Sequence, residues 1–123
     1  MPVFTLSDIL CFPPYFFIPL RVLIACPVWK VTGFETIYFW PDFINDLKEV
    51  NRVLKKDGLV FFCNEAVYRE GKMDKYEDLI ELLDMKIYSE DVLKSALEKA
   101  GFKDFQAFIQ DENEWICVTA RKV

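Results

Sequence analysis

One stretch of the sequence, Lys30–Ala66, has the pattern of a strand, a loop, a helix and a second strand in immediate succession. The run LVFFC at residues 59–63 is apolar at every position, which is typical of a strand covered on both faces. The β-branched and aromatic run Lys30–Phe34 predicts the first strand. Parallel strands joined by a helix form a right-handed βαβ unit, so this stretch predicts an α/β fold.

The helix of this unit is predicted to follow Pro41, with Asp42 as its N-cap. Apolar residues then recur at spacings of three and four, which places them on one face of a helix. These residues are Phe43, Leu47, Val50 and Leu54. Basic residues follow, and Gly58 predicts that the helix ends in a left-handed glycine just before the second strand.

Three phrases in this stretch carry a family resemblance: FET at residues 34–36, YFWPD at residues 38–42, and RVLK at residues 52–55 with a glycine soon after it. They resemble the region after the fourth strand of class I S-adenosylmethionine-dependent methyltransferases. The resemblance covers residues 31–123, which is 93 of the 123 residues. It implies that residues 30–123 form the C-terminal half of a methyltransferase-like α/β domain.

The elements predicted after residue 66 keep the order of that family. Residues 74–84 are predicted to form an amphipathic helix, and a further helix is predicted between an N-cap at Ser89 and a closing glycine at Gly101. Alternating residues from Asp104 to Ala120 predict an antiparallel hairpin with an acidic turn. The resemblance implies that its last strand lies antiparallel beside the fifth strand. The predicted fold is therefore a partial Rossmann-like methyltransferase sheet, strands four to seven with an antiparallel C-terminal hairpin, with helices packed on it.

Residues 1–29 are a divergent apolar segment that departs from the family. A membrane span is one interpretation of the apolar run, but Arg21 and several prolines oppose it. The favoured alternative is a buried strand at Leu20–Cys26, antiparallel to the strand at residues 30–34 or continuous with it. Unrelated codons placed before a methyltransferase's second half are a further explanation of this segment.

Charge and composition exclude several classes of function. With 15 basic and 20 acidic residues the net charge is -5, which disfavours nucleic-acid binding. The chain contains no histidine and no CxxC pair, so we expect no metal site and no histidine-based catalysis. Its four cysteines are expected to be buried free thiols in a reducing cytoplasm.

The resemblance also implies site residues, although it identifies no catalytic group. Three residues at the end of the fourth strand match positions that usually face the cofactor: Gly33, Phe34 and Glu35. Two predicted substrate-binding residues, Tyr38 and Trp40, lie in the loop that borders the methyl group in that family. The other two, Asn64 and Glu65, end the fifth strand, where they can hydrogen-bond a substrate. For the two aromatic residues the alternative is a hydrophobic cover under the start of the helix. For the two polar residues the alternative is a strand end that meets water.

The implied activity is methyl transfer from S-adenosylmethionine to a small-molecule or protein substrate that the sequence does not identify. The family holds this cofactor on a glycine-rich loop, but the glycines here are isolated at positions 33, 58, 71 and 101. We therefore expect a truncated enzyme that is inactive alone. The alternative is a non-catalytic methyltransferase-like module that pairs with another chain. Self-association is expected through an exposed sheet edge along the fourth strand.

Overall fold

A computed structural model describes the backbone of Ile9–Phe12 and all of residues 28–123. The described residues form a five-stranded sheet with the strand order β1-β2-β3-β5-β4. The strands are β1 Ile9–Phe12, β2 Val28–Phe34, β3 Leu54–Asn64, β4 Phe102–Gln110 and β5 Trp115–Lys122. The α-helices are α1 Phe43–Val53, α2 Glu77–Leu83 and α3 Glu90–Lys99. Short 3-10 helices lie at Ile37–Phe39 and Asp74–Tyr76.

The strand directions confirm the predicted α/β class. Strands β1, β2 and β3 run parallel, with α1 as the connection between β2 and β3. Strand β5 runs antiparallel beside β3, and β4 pairs with β5 as a hairpin. This is the partial Rossmann-like sheet with an antiparallel C-terminal hairpin that the sequence predicted.

The predicted bare edge along β2 is wrong. Strand β1 pairs with β2 from Ile9 opposite Lys30 to Phe12 opposite Gly33. The connection between these parallel strands, residues 13–27, exceeds the dozen residues that a parallel crossover needs. The strand predicted at Leu20–Cys26 lies outside the described residues, and so does Arg21.

Helix α1 begins where predicted but ends four residues early, at Val53. Strand β3 starts at Leu54, which is paired with Val28 of β2, and this pairing takes the place of another helical turn. The left-handed residue in this region is Asp57, with φ 62°, and not Gly58. Gly58 is needed for packing, since a Cβ there would lie 2.7 Å from the carbonyl oxygen of Lys55.

The core lies between one face of the sheet and helices α1 and α3. Its fully buried side chains come from alternate strand positions and from the inner helix faces. They include Val31, Val60, Phe62, Val118, Leu47, Val50, Leu93 and Leu97. Helix α3 has the predicted caps, because the Ser89 hydroxyl accepts a hydrogen bond from the Val92 backbone N–H and Gly101 has φ 94°. Val92 of α3 lies outside this core, since its side chain is 48% exposed.

Helix α2 differs from the other two because none of its residues is buried. Its apolar stripe faces solvent and includes Leu79, Leu82 and Leu83. Trp115 is also 44% exposed, on the sheet face opposite the helices. No helix among the described residues is both long enough and apolar enough to cross a membrane.

The expectation of free thiols is wrong for two of the four cysteines. Cys63 of β3 and Cys117 of β5 are direct partners in the antiparallel register and form a disulfide. Their Cα atoms are 4.2 Å apart, the short separation that narrow pairs of antiparallel strands provide. The sequence separation of 54 residues concealed this pairing, because only the strand register brings the two residues together.

Candidate functional site

The candidate site lies where the parallel strands β2 and β3 end side by side. Phe34 is the last residue of β2, and its register partner is Cys63, one residue before the end of β3. The loops that follow therefore leave the same edge of the sheet. Ligands of open α/β sheets gather at such carboxyl ends.

Glu35 joins the two loops. Its backbone N–H donates a 3.0 Å hydrogen bond to the Cys63 carbonyl, and its backbone has φ 58°, in the left-handed region. This conformation ends the strand and turns the side chain toward the second loop. The carboxylate oxygen Oε1 accepts a short hydrogen bond from the backbone N–H of Glu65. The same oxygen lies 3.3 Å from the Tyr38 hydroxyl, which can donate to it.

Tyr38 makes the second connection between the loops. Its hydroxyl accepts a 2.9 Å hydrogen bond from the Ala66 N–H and lies 3.4 Å from the Ala66 carbonyl oxygen. The residue is only 1% exposed, because the 3-10 helix Ile37–Phe39 turns this ring inward. Burial, followed by the nearby Glu35 charge, raises the Tyr38 pKa far above its usual value. The hydroxyl therefore stays protonated and keeps both donor and acceptor capacity.

The electrostatics of the edge are dominated by two neighbouring carboxylates. Partial burial of Glu35 raises its pKa, and the charge of Glu65 raises it further. The hydrogen bonds from the Glu65 backbone and from Tyr38 act in the opposite direction but do not cancel the effect of burial. The edge is thus an acidic surface that favours a cation over an anion.

The structure divides the seven predicted site residues into two groups. Phe34, Glu35 and Glu65 reach solvent at the edge, and Phe34 is 48% exposed. The other four residues are buried: Gly33, Tyr38, Trp40 and Asn64. Gly33 allows close packing, because a Cβ there would lie 2.6 Å from Thr36 Oγ1 and 2.9 Å from the Phe62 ring.

Trp40 packs under the start of α1. Its ring centroid lies 5.6 Å from that of Phe62 and 6.2 Å from that of Phe43, and the residue is 8% exposed. This is the arrangement of the hydrophobic cover that the sequence offered as an alternative. Its direct contribution is to hold the loop after β2 against the core.

Of two buried polar side chains at the site, Asn64 was among the predicted site residues and Thr36 was not. Thr36 Oγ1 and Asn64 Oδ1 are buried and have no hydrogen-bond partner among the described residues. Thr36 appeared in the sequence only as part of the phrase that resembles methyltransferases. The backbone of Ala66, which binds Tyr38, offers no side-chain signal at all. Such contacts depend on a loop geometry that local sequence does not specify.

A separate groove lies away from this edge, between the start of α1 and α3. It has a volume of about 570 Å³ and contains the stacked rings of Phe43 and Tyr88, whose centroids are 4.4 Å apart. None of the seven predicted site residues lines it. Among the described residues, no group of three or more His, Cys, Asp or Glu side chains could hold a metal ion.

No protein-family model matches the sequence, and no curated protein matches it either. Solved structures do match the fold. A SAM-dependent methyltransferase from Thermotoga maritima is 19% identical with a TM-score of 0.64, over 81% of this chain and 59% of that one. Human N-acetylserotonin methyltransferase in complex with S-adenosylmethionine is 18% identical with a TM-score of 0.61, over 76% of this chain and 29% of that one.

A third similar structure is Haemonchus contortus phosphoethanolamine N-methyltransferase 2, in complex with phosphomonomethylethanolamine and S-adenosylhomocysteine. It is 13% identical with a TM-score of 0.65, over 77% of this chain and 33% of that one. The chain thus spans less than two thirds of the length of each of these three structures. At these identities the similarity concerns the fold alone, and the chain has part of the Rossmann-like fold of these methyltransferases.

Proposed function

We propose that this chain supplies one wall of an S-adenosylmethionine-dependent methyltransferase site, at the carboxyl edge of β2 and β3. The observation that carries the proposal is the position of Glu35. It links both loops at the edge where ligands of this sheet type bind, and it lies beside the exposed ring of Phe34. The similar folds of known methyltransferases support the same assignment.

The residues at the edge fit a cationic ligand. S-adenosylmethionine carries a methyl group on a positively charged sulfonium, which is the leaving group in methyl transfer. The Glu35 and Glu65 carboxylates attract such a cation, and an aromatic face such as that of Phe34 adds a cation–π contribution. Gly33 is buried and contributes indirectly, because its missing side chain lets Thr36 and the Phe62 ring pack close to the backbone at the end of β2.

The remaining predicted residues act as positioning groups in this proposal. Tyr38 holds the loop after β3 through Ala66, and Trp40 anchors the loop after β2 in the core. Asn64, whose Oδ1 atom has no hydrogen-bond partner among the residues that the structure describes, ends β3 directly before Glu65. Together they fix the two carboxylates relative to each other, which is the preorganisation that transfer of a methyl group requires.

The chain alone is expected to bind the cofactor weakly, because its sequence contains no GxG motif to cradle the ligand. Calorimetry with S-adenosylmethionine tests whether the chain binds the cofactor and how weakly it does so. The expected dissociation constant is weaker than the range of roughly 1 μM to 1 mM that is common for enzyme substrates. Saturable one-site binding well inside this range would contradict the expected weakness.

The matched pair Phe34→Ala and Phe108→Ala tests the location. Both rings lie on the same sheet face, so changes in self-association affect the two variants alike. Only the Phe34 variant should lose heat of binding, because only Phe34 lies at the carboxyl edge of β2. Equal binding by both variants would show that the ligand does not contact this edge.

The second candidate is a non-catalytic methyltransferase-like module that pairs with another chain. The exposed leucines of α2 and the exposed aromatic rings of the sheet favour it. In this case neither the wild type nor the Phe34→Ala variant binds the cofactor detectably. The substitution weakens association with the partner chain instead.

A further inference from the structure

Within the part of the chain that the structure describes, the helices cover only one face of the sheet. Helices α1 and α3 pack on the face that contains Val60 and Phe62, so alternate strand residues point to the opposite side. We call this opposite side the open face. Its exposed aromatic residues are Phe34, 48% exposed, Phe108, 59% exposed, and Trp115, 44% exposed.

The strand register makes these residues continuous. Phe34, Cys63, Cys117 and Phe108 are successive partners across strands β2, β3, β5 and β4, so they form one row. The Cys63–Cys117 disulfide lies in the middle of that row. Phe61 in the next row packs edge-on against Phe34, with ring centroids 5.9 Å apart. The row thus presents an aromatic surface with no polar side chain within it.

The opposite end of the open face is basic. Arg121 and Lys103 are register partners at the amino end of β3, and Lys103 Nζ lies 3.0 Å from Asp57 Oδ1. Arg121 donates a 3.1 Å hydrogen bond to the Asp57 carbonyl and is exposed. The open face therefore combines an aromatic row with cationic side chains.

Helix α2 has the complementary character. Leu79, Leu82 and Leu83 occur at the spacing of one helix face and are 44%, 80% and 43% exposed. Residues 77–84 carry four acidic side chains and no basic one: Glu77, Asp78, Glu81 and Asp84. The helix thus has an apolar side that acidic residues surround, and none of its residues is buried.

Helix α2 is held away from the open face of its own chain. Just before it, Lys75 Nζ lies 2.6 Å from Glu114 Oε2 in the turn between β4 and β5. Just after it, the Lys86 backbone N–H donates a 2.9 Å hydrogen bond to the Tyr38 carbonyl. These two contacts fix the ends of the helix at the carboxyl edge of the sheet. The leucines can meet an open face only on another molecule.

We infer that two copies of this chain associate by reciprocal exchange, with α2 of each copy docked on the open face of the other. The leucine side of α2 covers the aromatic row, and its acidic residues face the basic end of the partner's sheet. The inference concerns assembly. Because α2 of the other copy covers Phe34, this docking competes with the cofactor contact proposed for that ring.

The contact area favours the reciprocal arrangement. Aromatic side chains measure roughly 150 to 250 Å² each, so three half-exposed rings offer on the order of 300 Å². A single contact of this size falls short of the roughly 1,000 Å² that a specific interface buries. Two-fold exchange makes the same contact twice and adds both leucine surfaces. In a linear assembly, where each α2 docks on the next molecule, one α2 and one open face would stay exposed at the two ends.

Sedimentation of the full chain tests the inference. The wild type is expected to sediment as a dimer of the 14.5 kDa chain. Leu82→Lys should sediment as a folded monomer with the circular-dichroism spectrum of the wild type, because Leu82 is 80% exposed in the single chain and contributes little to its fold. Phe108→Glu should also be monomeric. Val92→Lys is the matched control, since it changes an exposed apolar residue of α3 and should leave the dimer intact.

A mixing experiment identifies the pairing. The Leu82→Lys chain keeps an intact open face, and the Phe108→Glu chain keeps an intact α2, so their mixture regains one unaltered contact. In the other contact the introduced lysine faces the introduced glutamate, an attractive pair, so the two chains should form heterodimers. A monomeric wild type at high concentration would overturn the inference. So would a dimeric Leu82→Lys variant, which indicates contact between two open faces or two sheet edges. A mixture that stays monomeric while both single variants are folded would overturn the specific pairing.

Discussion

The Tyr38 hydroxyl lies 2.9 Å from the backbone nitrogen of Ala66, a residue 28 positions further along the chain, and accepts its hydrogen bond. Both groups are buried, so water cannot take the place of either partner. This bond, together with the bond from the Glu65 N–H to Glu35, makes the loops after β2 and β3 a single unit. The candidate site depends on that unit, and its geometry can be tested through stability.

Tyr38→Phe removes the acceptor and leaves the Ala66 N–H buried without a partner. We expect the free energy of unfolding to fall by about 1 to 3 kcal/mol. Urea unfolding measures this loss. Tyr68→Phe is the control, because Tyr68 is 46% exposed and its substitution should change stability by about 0.5 kcal/mol or less. Equal losses in the two variants would contradict the role given to Tyr38.

Glu35 should make the stability of the wild type depend on pH. The folded protein binds a proton at Glu35 more tightly than the unfolded chain, whose pKa is near the usual 4.5, because burial raises the folded pKa. This contribution to stability is therefore complete below the unfolded pKa and is lost as the pH rises through the folded pKa.

Glu35→Gln keeps an oxygen that accepts from Glu65 but removes the titrating charge. The difference in unfolding free energy between variant and wild type should therefore shift in favour of the variant as the pH rises from the usual pKa of 4.5 through the raised pKa of the folded state. Urea unfolding at several pH values measures the difference, and other titrating groups cancel in the comparison. A difference that does not change with pH would contradict the burial of this carboxylate.

Gly33→Ala should destabilise the fold by about 1 to 3 kcal/mol, because the added methyl meets Thr36 Oγ1 and the Phe62 ring. Thr36→Ala alone should cost little, since the hydroxyl has no hydrogen-bond partner among the described residues. The double variant should recover part of the loss, as the Thr36 oxygen is then absent. Strictly additive effects in thermal unfolding would show that the two side chains are not in contact.

The Cys63–Cys117 bond should appear in peptides digested without reductant, as a linked pair identified by mass spectrometry. Closing a loop of 54 residues restricts the unfolded chain, so reduction should cost roughly 4 kcal/mol of stability in the chain-entropy model. A Cys63→Ala/Cys117→Ala protein should show no effect of reductant on its melting temperature. Linkage of either cysteine to a different partner would contradict the register of β3 and β5.

The elements that the sequence predicts best are those with local signals. Ser89 and Gly101 mark the ends of α3 through their own backbone preferences, and the hairpin follows from alternating residues. The end of α1 at Val53 was missed because the pairing of Leu54 with Val28, a distant residue, decides it. In this position tertiary pairing outweighs the local preference for helix.

The sequence predicted the candidate site only in part, again because contacts between distant residues decide some of its geometry. The resemblance to methyltransferases indicated the correct edge of the sheet for Phe34, Glu35 and Glu65 to meet. It did not indicate that Tyr38 turns inward, because that depends on the hydrogen bond to Ala66, whose backbone has no sequence signature. Nor could periodicity show that the apolar face of α2 remains uncovered, since an amphipathic pattern predicts burial against some partner without identifying it.

The central claim is that the carboxyl edge of β2 and β3 binds S-adenosylmethionine. The most direct test is a titration of the ¹⁵N-labelled chain with S-adenosylmethionine, followed by amide chemical shifts, which detect weak binding and locate it. We expect concentration-dependent shifts at Phe34, Glu35, Glu65 and Ala66, absent with an equal concentration of adenosine monophosphate as a control. Shifts confined to other residues, or no shifts at the highest soluble concentration, would contradict the assignment of this edge as a cofactor site.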